Sequence, residues 1–177
     1  MHGIAIDPQD SAILYGWNGM GIFKSTDRGA SWNTLNSGLP TRVNNPPQSQ
    51  GVVNVVVIDP QSPSTLYAVL SGDGIFKSTD GGAGWVTANS GLPATSVNGR
   101  QNYAVTSLVI DPDHPDTLYA NGDGVLRSTD GGATWSSVGT GLTTFFVYTL
   151  AIDPHDTRTV YAGTADGVFA ITFSPDE

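Results

Sequence analysis

The chain has 177 residues, enough for one domain with a real core. Its 7 Lys+Arg against 16 Asp+Glu leave a formal charge of −9, which repels phosphate backbones and argues against nucleic-acid binding. The absence of Cys excludes disulfides and thiolate metal sites, and no apolar run reaches the roughly 18 residues that a membrane helix needs.

Fifteen of the sixteen acids are Asp, and the one Glu is Glu177. Asp favours turns where Glu favours helices, so the skew predicts many turns and few helices. The 22 Gly and 11 Pro punctuate the chain in the same sense. The opening "MHGIAIDP" has neither a basic stretch nor an apolar one, so it does not read as a secretory leader.

Taken in chain order, four segments align without gaps. They are "IAIDPQDSAILYG" (4–16), "VVIDPQSPSTLYA" (56–68), "LVIDPDHPDTLYA" (108–120) and "LAIDPHDTRTVYA" (150–162). Their aspartates Asp7, Asp59, Asp111 and Asp153 stand 52, 52 and 42 residues apart. Each segment runs through a Gly-containing turn into "GIFKSTD", "GIFKSTD", "GVLRSTD" or "GVFAITF". The first three units continue into a segment led by Trp32, Trp85 or Trp135.

Each unit reads as four short strands. The first is apolar at successive positions, as in a strand buried on both faces. The second carries Tyr and β-branched residues. Asp73-Gly74, Asp123-Gly124 and Asp166-Gly167 mark hairpins between second and third strands, with Met20-Gly21 in that place in the first unit. No window sustains a 3.6-residue period. Four-stranded units repeating at this spacing predict an all-β fold, a β-propeller of about four antiparallel blades. A β-sandwich has no reason to repeat its sequence. Residues 1–177 read as a single propeller domain with repeats at 3–40, 53–92, 105–142 and 147–173, 15 strands in all.

"FKSTDRGASW", "FKSTDGGAGW" and "LRSTDGGATW" share the pattern Ser-x-Asp-x-Gly-x-x-Trp. It falls on Ser25, Asp27, Gly29 and Trp32, on Ser78, Asp80, Gly82 and Trp85, and on Ser128, Asp130, Gly132 and Trp135. The carboxylate is suited to accept N–H groups of the following turn, the Gly to adopt positive φ, and the Trp to bury its ring between sheets. Catalysis needs one asymmetric constellation, so a carboxylate repeated in every blade reads as structural. The "IDP" aspartates read as turn formers for the same reason. No calcium loop is visible, and neither a metal nor a cofactor is expected.

This pattern resembles the Asp-box, or BNR, repeat, and the whole chain resembles Asp-box β-propellers. Its phrasing is similar to xyloglucanase-like and sialidase-like bacterial BNR-repeat proteins. The resemblance implies Asp-boxes on the face opposite the binding site, and a secreted or extracytoplasmic location. A sialidase site does not carry over. Arg127 repeats the position of Lys24 and Lys77, Arg28 sits inside a Ser-x-Asp element, and no Glu is available as partner to a Tyr nucleophile. A pair of Asp residues of the inverting type stays open, but no complete catalytic constellation is visible. The reading is therefore a non-enzymatic binding or scaffold propeller for a glycan or protein, with a glycoside hydrolase-related propeller fragment as the alternative.

Two connections, 39–54 and 92–107, are longer than their counterpart at 141–149. They are expected to bring Arg42, Asn44, Arg100, Asn102 and Tyr103 to one rim, near Phe145, Phe146 and Tyr148. Amides and aromatics suit sugar hydroxyls and C–H faces, and protein interfaces as well. The last unit departs from the others, with Ala170 for the cation, Ile171 for Ser and Phe173 for Asp. Its terminal strand has no charge, Pro or bulge to protect an edge. Self-association is expected, two copies meeting edge to edge to complete a ring of about eight blades, with a strained four-bladed monomer and a piece of a longer chain as the alternatives.

Overall fold

The computed structural model describes residues 2–40, 52–97, 99–138 and 146–174. The first sheet holds β1 (Gly3–Ile6), β2 (Leu14–Asn18), β3 (Gly21–Ser25) and β4 (Asn33–Thr34). The second holds β5 (Val53–Ile58), β6 (Leu66–Leu70), β7 (Gly74–Ser78) and β8 (Val86–Thr87). A separate hairpin, β9 (Ala94–Val97) with β10 (Arg100–Tyr103), precedes the third sheet. That sheet is β11 (Leu108–Ile110), β12 (Leu118–Gly122), β13 (Gly124–Ser128) and β14 (Ser136–Val138). The fourth has three strands, β15 (Val147–Ile152), β16 (Thr159–Thr164) and β17 (Gly167–Thr172).

Every sheet is antiparallel in chain order, and no helix occurs among the described residues. These are the blades of a β-propeller. The register keeps the repeat: Tyr15 pairs with Lys24, Tyr67 with Lys77, Tyr119 with Arg127 and Tyr161 with Ala170.

The apolar cores lie between blades. Tyr15, Trp17 and Ile22 of blade 1 pack on Val56, Leu66, Phe76 and Trp85 of blade 2. Tyr67, Val69 and Ile75 meet Leu108, Leu118, Leu126 and Trp135 in the same way. Tyr119 and Val125 meet Leu150, Val160 and Phe173. Each large apolar side chain so covered contributes roughly 1.5–3 kcal/mol. The stability of the fold therefore resides in blade-to-blade contact, as repeat architectures require.

The inner strands touch in the order β1, β5, β11, β15, and among the described residues no substantial contact joins β1 to β15. The four blades form an open arc. Apolarity at successive first-strand positions predicted burial on both faces, but Ile4 and Ile6 are exposed and the later first strands are only partly covered. These strands wall an apolar hollow of about 480 Å³, lined by Ile6, Ile58, Ile110 and Ile152 with Pro8, Pro60, Pro112 and Pro154. They converge on the propeller axis, and no further layer covers them among the described residues. Seventeen strands occur among the described residues rather than 15, because the long connection after blade 2 folds into β9 and β10.

Candidate functional site

Two faces of the arc carry polar side chains, and they differ in what those side chains do. On one face, Ser25 Oγ donates to Asp27 Oδ1 at 2.7 Å and accepts the Gly29 N–H at 2.8 Å. The carboxylate then accepts the Ser31 N–H at 2.8 Å and the Ser31 hydroxyl at 2.6 Å. The same turn recurs with Ser78, Asp80, Gly82 and Gly84, and with Ser128, Asp130, Gly132 and Thr134. Hydrogen bonds from Ser31 hold the Asp27 carboxyl down at about 2, and those from Thr134 do the same for Asp130. Asp80 is lowered chiefly by the Gly84 N–H.

The "IDP" aspartates act alike. Asp7, Asp59 and Asp111 each accept two N–H groups of the turn that follows, and Asp153 accepts the His155 N–H. Gln9 Nε2 then reaches the Pro60 carbonyl of blade 2, and Gln61 Nε2 the Pro112 carbonyl of blade 3.

A second set of bonds ties the turns of blades 2 and 3 to the preceding blade. Tyr67 Oη and Lys77 Nζ both donate to the Gly131 carbonyl, at 2.9 and 2.8 Å, and Tyr15 with Lys24 does the same at Gly81, both at 3.3 Å. Trp85 Nε1 donates to the Leu35 carbonyl and Trp135 Nε1 to that of Ala88, each at 2.9 Å. Gly91 has φ +85°, and a Cβ there would stand 2.2 Å from the Trp135 carbonyl oxygen. Only Gly allows the approach. In blade 4, Phe173 stands at the Asp position of the repeat, stacked on Tyr119 at 5.2 Å with the Arg127 guanidinium 5.0 Å from its ring centre.

The opposite face carries the second-to-third-strand hairpins and the β9–β10 hairpin. Tyr103 donates its N–H to the Gly72 carbonyl at 3.1 Å, which seats the hairpin against the blade 2 turn. Arg100 is exposed, and Asn102 and Tyr103 are half-buried. Burial raises the Asp73 carboxyl, and the Arg100 charge opposes that shift. Tyr103 also lines a groove of about 400 Å³ with Lys77, Thr87, Asn89 and Ser90, which runs between blades 2 and 3 to the Ser-x-Asp turn at Gly131, Gly132 and Ala133. Phe146 bridges to Asp123 of the blade 3 turn, and both Phe146 and Tyr148 are exposed. Among the described residues, the expected rim residues fall beside two separate turns, that of blade 2 and that of blade 3. Arg42, Asn44 and Phe145 lie outside the described residues.

Sequence reading missed Asn36 and Asn89. Asn89 Oδ1 accepts the Ile75 N–H at 2.7 Å and its Nδ2 donates to the Asp73 carbonyl, so it braces the hairpin beneath this face, as Asn36 does for Ile22 and Met20. The repeated "NSGL" held that signal.

The chain is similar to xyloglucanases. It is 36% identical over 90 residues to a xyloglucanase of Hypocrea jecorina (strain QM6a), covering 45% of this chain and 10% of that protein. It is 36% identical over 100 residues to one of Paenibacillus sp, covering 49% and 9%. The matched segments therefore span about a tenth of these relatives. An ancestral GH74 enzyme has the same fold, with a TM-score of 0.71 and 21% identity, over 96% of this chain and 22% of that one. No protein-family model matches the chain.

Proposed function

We propose that the chain is an Asp-box (BNR-repeat) propeller that binds a glycan of the xyloglucan class through its long-loop face without cleaving it. The observation that carries this reading is the division of labour among polar side chains. The repeated aspartates of both turn families accept hydrogen bonds from their own turns. The Arg100–Tyr103 strand instead presents a cation, amides and an aromatic ring at the opposite face. Sugar hydroxyls match the first two, and sugar C–H faces match the third. Phe146 and Tyr148 extend the aromatic surface, and Arg42, Asn44 and Phe145 are assigned to the rim on sequence alone. Such polysaccharides lie outside cells, so an extracytoplasmic location goes with the reading. Further copies of the same chain complete the ring.

A glycoside hydrolase-related segment is the second reading, favoured by the identity to xyloglucanases and by the raised carboxyl of Asp73. Calorimetric titration with xyloglucan oligosaccharides tests both. Binding that Tyr103→Ala weakens by about tenfold, about 1.4 kcal/mol, is the expected result. No binding, or an indifferent Tyr103, overturns the binding reading. Release of reducing ends that Asp73→Asn abolishes transfers the function to a hydrolase.

A further inference from the structure

The two ends of the arc are the two halves of an interface that the molecule already builds three times. On the outgoing face of a blade, Tyr15, Tyr67 and Tyr119 are 1% exposed, whereas Tyr161 at the same place in blade 4 is 39% exposed. Ile22, Ile75 and Val125 are fully covered, and their counterpart Val168 is 74% exposed. On the incoming face, Val56, Leu108 and Leu150 are nearly buried, and their counterpart Ile4 in blade 1 is 53% exposed. Polar groups at both ends turn back on their own blade. Tyr161 Oη donates to Asp153 instead of a neighbouring carbonyl, and Trp32 Nε1 donates to Gly29 of its own turn.

One pair of substitutions matches these two faces to each other. In the first two interior interfaces a Lys of one blade and a Gly of the next share one spot. A Cβ on Gly81 would stand 3.1 Å from Lys24 Nζ, and one on Gly131 would stand 3.0 Å from Lys77 Nζ. A side chain at that Gly crowds the tip of the Lys before it, which has to give way by a few tenths of an ångström. Blade 1 carries Arg28 at the Gly position, and its φ of 59° keeps the left-handed backbone of Gly81 (71°) and Gly131 (66°). Its carbonyl is therefore presented as theirs are. Blade 4 carries Ala170 at the Lys position. Where blade 1 has gained a cation, blade 4 has lost one.

We propose that two copies of this chain join head to tail, the outgoing face of blade 4 in each seating on the incoming face of blade 1 in the other. This rests on the reading that further copies complete the ring. Arg28 of the partner subunit fills the space above Ala170 and sets its guanidinium by the Tyr161 ring, as Lys24 and Lys77 stand 5.1 and 5.3 Å from their own tyrosine rings. Its backbone carbonyl accepts the Tyr161 hydroxyl. The contact is heterologous, and two such contacts close a ring of about eight blades, within the range propellers adopt. Ile171 packs against its own blade's core, so the blade face makes the contact rather than the β17 edge.

Sedimentation equilibrium at micromolar concentration is the test. Wild type is expected at twice the 18.5 kDa chain mass. Ala170→Lys sets two cations against each other and weakens the dimer by about tenfold or more. Adding Arg28→Gly to Ala170→Lys recreates the interior pairing and restores the dimer. Both positions are exposed, and unchanged circular dichroism of each variant reports an intact fold. Val168→Lys, at the most exposed point of the face, gives monomers independently. A monomeric wild type overturns self-association and the interface together, and leaves these faces to other blades or another protein. A dimer indifferent to Ala170→Lys and Val168→Lys keeps self-association and overturns this interface.

Discussion

Trp85 and Trp32 hold the same place in their repeats and use their indole N–H groups differently. Trp85 reaches across to the carbonyl of Leu35, 50 residues back, and is buried; Trp32 bonds three residues back to Gly29 and is half-exposed. The local turns around them are superimposable in their bonding, Ser to Asp and Gly N–H to Ser in both. The difference separates two layers of stability. The Ser-x-Asp turn belongs to a blade, and the Trp, Tyr and Lys contacts belong to the pair of blades.

The largest effect that sharpens this comparison is expected at the tryptophans. Trp85→Ala removes a buried ring from the first core and costs about 3–5 kcal/mol in urea unfolding, whereas Trp32→Ala costs well under half of that. Equal losses would erase the distinction. Gly91→Ala should cost about 1–3 kcal/mol through the Trp135 carbonyl. Gly19→Ala, where a Cβ meets nothing, should stay within about 0.5 kcal/mol. Ser25→Ala, Ser78→Ala and Ser128→Ala each strand a Gly N–H beside a buried site and should cost about 1–3 kcal/mol alike. If Ser25→Ala were silent while Ser78→Ala was costly, the turn would depend on its neighbour after all. Asp80→Ala should lower the melting temperature without altering ligand binding.

The smallest effect is in acid. Asp27 and Asp130 are held at about 2 against an ordinary 3.8, so the folded state favours their charged form. That contribution is fully present above 3.8 and is lost as pH falls through about 2. Both carboxylates face solvent, which screens the gain. Melting temperature should decline over that window, and Asp27→Asn with Asp130→Asn should flatten the decline. An unchanged profile would detach these bonds from stability.

The β9–β10 hairpin was legible in principle, since its "SVNGRQ" contains an Asn-Gly pair, a strong two-residue hairpin signal. Reading the stretch as a connection between repeats hid it. The first strands were misjudged for a different reason. Apolarity at every position is the same whether a strand is covered on both sides or walls a hollow on the axis, as Ile6 and Ile152 do.

By itself the sequence determined the repeat, the strand order within each blade and the turn chemistry. The repeat shows as a recurring phrase, and the turn chemistry rests on residues within a few positions of one another, such as Ser78 with Asp80 and Gly82. Tertiary structure alone decided which copies of a repeated residue are partnered. Tyr67 and Tyr161 are the same letter in the same phrase, yet one is sealed against Gly131 and the other faces solvent beside Asp153. Burial of a blade's face is set by the next blade, some fifty residues away in the chain, and local pattern carries no information about whether that neighbour is there.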